Sequence, residues 1–169
     1  MSAPLSTHST AFWLLVPTYN PGAQNWNEWI GALKVQTSQP LEVVVVDSGS
    51  TDGTIELSRQ AGFKVLEVKA ANFNHGGTRQ WALDQAMVNM AATGQAAPHL
   101  VVYLTQDAIF ASPSALTDLL EAFQDPQVAA AYGRQLPNPE AHWLEAHTRS
   151  FNYPDTGRTV QLQDKASLG

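Results

Sequence analysis

The chain has 169 residues, of which 44% are hydrophobic and 14% charged, and its net charge is -6. This length predicts a single domain with its own core, and the nine scattered Lys and Arg residues argue against a nucleic-acid partner. The absence of cysteine excludes a disulfide scaffold and a thiolate metal site, and no apolar run reaches the roughly 20 residues of a transmembrane helix.

In chain order, the polar residues 1–10 predict a disordered leader. Four apolar runs then predict strands over 11–16, 41–47, 100–104 and 128–132. A further strand is predicted over 63–68, where apolar and polar residues alternate. The stretches between them have apolar residues at helical spacing and predict helices over 25–36, 54–61 and 78–92, and a fourth after Ser112-Pro113. We expect Pro17 to end the first strand, and strand three to lie near an edge of the sheet.

The alternation of strands with helices predicts an α/β fold, a doubly wound and mostly parallel sheet. Trp26, Trp29 and Trp81 fall on apolar helical stripes, so we expect them in the core. Trp143 stays open as a sugar-stacking or interface residue. After Pro139 the pattern predicts one further helix, over 141–149, and no strand.

The second strand contains four consecutive valines and ends at Asp47. A continuous β-branched run predicts a strand buried on both faces, and ligands of open α/β sheets bind at the carboxyl ends of such strands. Asp47 is therefore either a ligand contact or part of a capped turn, and this stretch alone favours neither. We expect Asp52 or Ser50 to N-cap the helix that follows.

Polar residues follow strands one, two and four, which all end at the same side of the predicted sheet. These residues are Thr18, Tyr19 and Asn20, then Asp47, Ser48 and Asp52, then Gln106 and Asp107. Their convergence predicts a ligand site. No Gly-rich phosphate loop is present, so a nucleotide would need another device, such as Mg²⁺ or Mn²⁺ shared between Asp107 and the phosphates. Taken alone, Asp107 is more often a turn or capping residue.

A second dense motif runs from Asn72 to Arg79. Its two glycines allow close approach of a ligand to the backbone before a helix. Arg79 opposes the helix dipole there, which favours an anionic partner, the alternative being a surface arginine beside a carboxylate. His75 is a ligand, a donor or a structural loop residue.

The stretches 16–20 and 46–54, with the aspartate after strand four, resemble family-2 glycosyltransferases of the GT-A fold. Phe73 to Arg79, Leu104 to Ala108 and Tyr132 to Gln135 are similar to bacterial rhamnosyltransferases of that family, which build surface polysaccharide from dTDP-rhamnose. The resemblance covers about residues 12 to 155.

The resemblance implies a nucleotide-sugar-binding domain over 11–150 and the start of an acceptor-side region over 151–169. It places the base at Thr18 and Tyr19, base and ribose at Asp47, the diphosphate near Arg79, and Mg²⁺ or Mn²⁺ at Asp107. The full set of donor-binding residues is Pro17, Thr18, Tyr19, Asn20, Asp47, Ser48, His75, Arg79, Gln106 and Asp107. Two positions depart from the family pattern: Ser48 stands for a second aspartate, and Thr105 for the first acid of the D-x-D motif.

The implied activity is inverting transfer from dTDP-rhamnose to a saccharide or lipid-linked acceptor, in the cytoplasm and peripheral to the inner face of the membrane. The general base is expected beyond Gly169, so the chain is interpreted as a donor-binding half. One alternative is a binding or regulatory module without catalysis. A nucleotidyltransferase is another, although the Gly-rich, Arg-containing loop typical of that class is missing after strand one. Low charge favours self-association into a homo-oligomer.

Overall fold

The computed structural model describes residues 11–94, 97–137, 142–153 and 155–161, and its contacts divide the chain into two units after Glu121. The first unit contains β1 (Phe12–Thr18), α1 (Ala23–Lys34), β2 (Glu42–Asp47), α2 (Thr54–Gln60), β3 (Lys64–Glu67), a 3-10 turn (Ala70–Asn72), α3 (His75–Thr93), β4 (Leu100–Tyr103) and α4 (Ala115–Glu121). The second contains a 3-10 turn (Ala122–Gln124) and α5 (Trp143–Asn152). The predicted leader over 1–10 lies outside the described residues.

The four described strands form one parallel sheet in the order β3-β2-β1-β4, which confirms the predicted α/β class. The strand β3 lies at an edge, as its mixed polar and apolar sequence predicts. The strands β2 and β3 follow one another on one side of β1, and β4 then pairs with β1 on its other side. This reversal makes the gap between β1 and β4 the topological switch point, where α/β sheets bind ligands.

Helices cover both faces of the sheet, so the fold is doubly wound as predicted. On one face, alternate residues of β1 pack against α1 and α4, through Phe12, Leu14, Val16, Trp26, Trp29 and Leu116. On the other face, Trp13 and Leu15 pack against α3. Each fully buried large side chain contributes about 1.5–3 kcal/mol, so these two layers fix the position of every strand end.

The tryptophans confirm two core predictions and correct one. Trp26 and Trp29 are fully buried, their rings stack 4.7 Å apart, and Trp26 Nε1 donates to Ser58 Oγ at 2.9 Å. The prediction for Trp81 is wrong, because this side chain is 38% exposed. The stripe of α3 that faces the sheet repeats every fourth residue (Thr78, Ala82, Ala86 and Met90), and Trp81 lies beside it.

Several predicted boundaries are also wrong. Residues 128–132 form no strand, and β1 continues through Pro17 to Thr18. The helix α3 begins at His75 rather than at Thr78, so both glycines of the second motif lie in its first turn. The helix α4 begins three residues after Ser112, which lies with Pro113 in the preceding turn.

The second unit contains the predicted late helix as α5, shifted toward the C-terminus. Trp143 at its start is exposed, so it stays available for contacts. The rings of Tyr132 and Tyr153 meet edge to face at 6.4 Å, beside a shallow cleft. Among the described residues of both units, no helix has the length and apolar character needed to cross a membrane.

Candidate functional site at the strand ends

The carboxylate of Asp47 is fully buried and holds the end of β2 in place. Its Oδ2 accepts from the hydroxyls of Thr18 at 2.7 Å and Ser50 at 2.6 Å. Its Oδ1 accepts from the N–H groups of Gly49 at 2.9 Å and Ser50 at 2.7 Å. Four protein donors therefore satisfy the carboxylate that the sequence offered as a base and ribose contact.

Ser48 is also turned toward the protein. Its backbone N–H and its hydroxyl both donate to the carbonyl of Thr18, each at 3.0 Å. Thr18 and Ser48 are buried, at 2% and 5% exposure. Thr18 and Ser48, both predicted to contact the nucleotide-sugar donor, thus bind the ends of β1 and β2 to each other.

Asn20 connects the loop after β1 to the loop after β2. Its N–H donates to Ser50 Oγ at 2.8 Å, and its Oδ1 accepts from the N–H of Thr51 at 2.8 Å. Asn20 has φ 44, a left-handed conformation that asparagine tolerates better than most residues. The sequence predicts Ser50 only as a helix cap and not as a bridge between the two loops. Its place in a run of small turn-forming residues is typical of such loops.

Asp52 ties the same two loops together one turn further on. Its Oδ2 accepts from the N–H of Gly22 at 2.6 Å, and its Oδ1 from the N–H and hydroxyl of Thr54 at 3.2 and 2.5 Å. The expected N-cap role is wrong, because Gly53 occupies that position with φ 89. Burial raises the pKa of Asp52, but the bonds from Thr54 and Gly22 outweigh it, and the pKa lies below its ordinary value.

The loop after β4 presents a different acid. The N–H of Ala108 donates to the carbonyl of Thr105 at 3.2 Å, which closes a tight turn with Asp107 at its tip. Asp107 is exposed, and among the described residues no hydrogen bond or ion pair engages its carboxylate. The preceding residue, Gln106, faces β1 instead and pairs with the backbone of Tyr19.

The second motif forms the N-terminus of α3. Asn74 is its N-cap, and Asn74 Oδ1 accepts from the N–H of Gly77 at 2.6 Å. Arg79 is partly buried and Nη1 donates to the carbonyl of His75 at 2.7 Å, and neither ion pair found among the described residues involves it. The exposed His75 ring lies edge to face with Phe73 at 5.2 Å.

Arg79 also lies close enough to β4 to influence Tyr103. Burial raises the pKa of the Tyr103 phenol, the Arg79 charge opposes that rise, and Asp84 adds to it. The arginine of the second motif therefore lies on the α3 side of the sheet, near the strand that leads to Asp107.

The structure brings together the three loops that the sequence predicted to converge, and direct hydrogen bonds through Asn20, Asp52 and Gln106 join them. Of the predicted residues, Tyr19, Asn20, His75 and Asp107 are exposed, and Pro17, Arg79 and Gln106 are partly buried. The remaining three, Thr18, Asp47 and Ser48, are buried. Within the described part of the chain, no group of three His, Asp or Glu side chains could hold a metal by itself.

A parallel, doubly wound sheet with polar loops at its switch point defines the class of doubly wound α/β folds, which bind ligands at that point. A family profile for glycosyl transferase family 2 matches residues 13–168. The chain belongs to glycosyl transferase family 2.

Two relatives with known names share most of this sequence. The O-antigen chain rhamnosyltransferase WbaN of Salmonella anatum is 43% identical over 159 residues, which are 94% of this chain and 48% of that protein. The O-antigen chain rhamnosyltransferase RfbN of Salmonella typhimurium is 37% identical over 157 residues, covering 92% of this chain and 47% of that protein. The chain spans about half the length of these curated relatives.

Solved glycosyltransferases share the fold, which confirms the resemblance to the GT-A architecture. The mannosyltransferase PcManGT of Pyrobaculum calidifontis, solved with GDP-Man and Mn²⁺, matches with a TM-score of 0.52 and 28% identity, over 69% of this chain and 33% of that one. TarS 1-349 of S. aureus matches with a TM-score of 0.50 and 27% identity, over 76% of this chain and 38% of that one.

Proposed function

We propose that the chain binds the donor of a rhamnosyl transfer, a dTDP-sugar and specifically dTDP-rhamnose, for transfer with inversion to a saccharide or lipid-linked acceptor. The identity to two O-antigen chain rhamnosyltransferases supports the sugar class. The proposal concerns the donor side of the reaction, since every donor-binding residue predicted from the sequence lies in the first unit. A cytoplasmic location, peripheral to the inner face of the membrane, is part of the same proposal.

The observation that carries the proposal is the pairing of a rigid loop network with exposed side chains around it. Buried hydrogen bonds through Asp47 fix the loops after β1 and β2. Tyr19 and Asn20 project from this network with exposed surfaces, and Asp107 projects from the loop after β4. A preorganised frame lowers the entropic cost of holding a ligand, so these exposed groups are suited to contact the base and the diphosphate.

The carboxylate of Asp107 fits a divalent metal ion that is shared with the substrate. A carboxylate oxygen is the ligand type that Mg²⁺ and Mn²⁺ prefer, and this one has no protein partner among the described residues. A single carboxylate binds such an ion weakly, so the diphosphate would have to complete the coordination. When bound, the metal would stabilise the negative charge of the departing nucleoside diphosphate. The similarity to PcManGT, solved with GDP-Man and Mn²⁺, supports this role.

The residues of the chain would then bind and orient. Tyr19 would offer a ring to the base, and the partly buried Arg79 a charge to the diphosphate. Asp47 and Ser48 would act through the loops that they hold, because their polar atoms are already engaged by Thr18, Gly49 and Ser50.

Titration calorimetry with dTDP in the presence and absence of Mn²⁺ tests the proposal. We expect the 169-residue chain to bind dTDP with a Kd that tightens when Mn²⁺ is present, and to bind UDP and GDP more weakly. Asp107→Asn should remove the gain from Mn²⁺ and leave the metal-free Kd within about twofold.

The matched control is Asp118→Asn, which removes the same charge from an exposed position on α4. This variant should retain the gain from Mn²⁺. The proposal fails if the unaltered chain shows neither heat nor a thermal shift with millimolar dTDP and Mn²⁺. Binding without any transfer of rhamnose, even in a longer chain that includes the acceptor side, would instead support the inactive binding module.

A further inference from the structure

The ladder between β1 and β4 stops before either strand-end loop begins. Its last bond runs from the N–H of Leu104 to the carbonyl of Leu15 at 3.1 Å. The backbone hydrogen-bonding groups of odd-numbered residues in β1 point toward β4, whereas the carbonyl of Thr18 points toward β2 and accepts from Ser48. Pro17 is the next residue to face β4, and it has no N–H to donate. The next backbone N–H donation from β1 to β4 is therefore missing at the switch point.

A side chain resumes the pairing two residues further along. The N–H of Tyr19 donates to Gln106 Oε1 at 2.7 Å, and Gln106 Nε2 donates to the carbonyl of Tyr19 at 3.2 Å. The primary amide presents one acceptor and one donor side by side, as a neighbouring strand would. Gln106 thus joins β1 and β4 across the gap that Pro17 leaves.

This amide clasp connects two parts of the site that no other side-chain hydrogen bond joins within the described part of the chain. Tyr19 follows Thr18 and precedes Asn20, which are bonded to Asp47 and Ser50 on the β2 side. Gln106 directly precedes Asp107, whose exposed carboxylate makes no hydrogen bond or ion pair among the described residues. The clasp is the direct hydrogen-bonded connection from the β1 loop to the turn that carries this acid.

We propose that Gln106 is a positioning residue, whose amide holds Tyr19 and Asp107 at a fixed separation for the donor and does not itself contact the donor. This inference rests on the proposed function, because it assigns the clasp to the binding of a nucleotide and its metal. It also reassigns Gln106, which the resemblance included among the donor contacts.

Gln106→Glu tests the clasp with a nearly isosteric change. An ionised carboxylate still accepts from the N–H of Tyr19 but cannot donate to its carbonyl. We expect the Kd for dTDP with Mn²⁺ to rise about tenfold at pH 7.5, because the neutral hydrogen bond to the Tyr19 carbonyl is lost.

The matched control is Gln60→Glu, an exposed residue at the end of α2 that makes the same charge change. It should bind dTDP as the unaltered chain does. No loss of affinity in Gln106→Glu would overturn the proposal.

Amide hydrogen exchange without any nucleotide supplies an independent test. In Gln106→Ala, the Tyr19 amide should lose protection about tenfold or more, while amides of α1 and β2 keep theirs. Unchanged protection at Tyr19 would overturn the clasp. If the unaltered chain binds no nucleotide, the proposed function fails, and the role of Gln106 in binding the nucleotide sugar fails with it. The exchange result would still decide whether the amide pairs β1 with the β4 turn.

Discussion

Replacing Asp47 by asparagine tests whether its buried carboxylate organises the strand-end loops. The asparagine carbonyl can keep the bonds from the N–H groups of Gly49 and Ser50 at the Oδ1 position. Its amide nitrogen then faces the hydroxyls of Thr18 and Ser50, which both donate to Oδ2 in the native chain. Two O–H donors lose their acceptor, a side chain with no exposed surface in the native chain.

The size of the effect follows from those two bonds. A hydrogen bond to a charged group contributes about 1.5–3 kcal/mol, and a neutral bond about 0.5–1.5 kcal/mol. Losing two charged bonds and recovering part of them as neutral ones gives a destabilisation of about 2–4 kcal/mol in Asp47→Asn. With a urea dependence near 2 kcal/mol per molar, the unfolding midpoint should fall by about 1–2 M. Tryptophan fluorescence reports this transition, because Trp26 and Trp29 are fully buried in the same unit.

Asp107→Asn is the control for this measurement, since it removes an equal charge from an exposed carboxylate without a partner among the described residues. Its stability should stay within about 0.5 kcal/mol of the unaltered chain. Equal midpoints for Asp47→Asn and the unaltered chain would refute the organising role. Equal losses in the two variants would mean that net charge, and not the buried network, sets the stability.

Two further predictions concern Asp52 and the first turn of α3. Because the pKa of Asp52 is lowered in the folded chain, its stabilisation is present above its unfolded pKa and is lost as the pH falls through the folded value. Asp52→Asn should therefore lower the urea midpoint at pH 7, and the difference should shrink below about pH 4; a constant difference would contradict this. Gly77→Ala should be less stable than Gly76→Ala by about 1 kcal/mol, because only its Cβ would lie 2.8 Å from the capping side chain of Asn74. Gly76→Ala meets nothing within 4 Å and should stabilise by up to about 1 kcal/mol, so equal thermal shifts in the two variants would refute the capping argument.

The parallel sheet could be predicted from the sequence because each of its strands is a short apolar run followed by a helical pattern. The two faces of β1 follow from period-two alternation, and the edge position of β3 from its charged residues. The run at 128–132 is also apolar, yet it forms no strand. A strand exists only where a partner completes its hydrogen bonds, and composition does not identify that partner.

The candidate site could be predicted at the level of its loops but not of its contacts. Convergence of the loops follows from strand direction, which the alternation of elements implies. The bond from Thr18 to Asp47 joins residues 29 positions apart, and that from Tyr19 to Gln106 joins residues 87 apart. Such pairings depend on the register between strands, and apolar periodicity does not determine that register to the single residue.

Asp47 and Asp107 both lie beyond the carboxyl-terminal part of a strand, Asp47 as the last residue of β2 and Asp107 in the turn after β4, yet their environments are opposite. After Asp47 the chain continues through Gly49, whose φ of 100 turns the backbone so that successive N–H groups point back at the carboxylate. After β4 the turn closes between Thr105 and Ala108 and leaves Asp107 at its tip. The residues after a strand-end acid therefore decide whether it is enclosed by its own loop or left for a ligand. By this criterion Asp107 is the acid that we propose for the metal, and Asp47 is the acid that holds the loops around it.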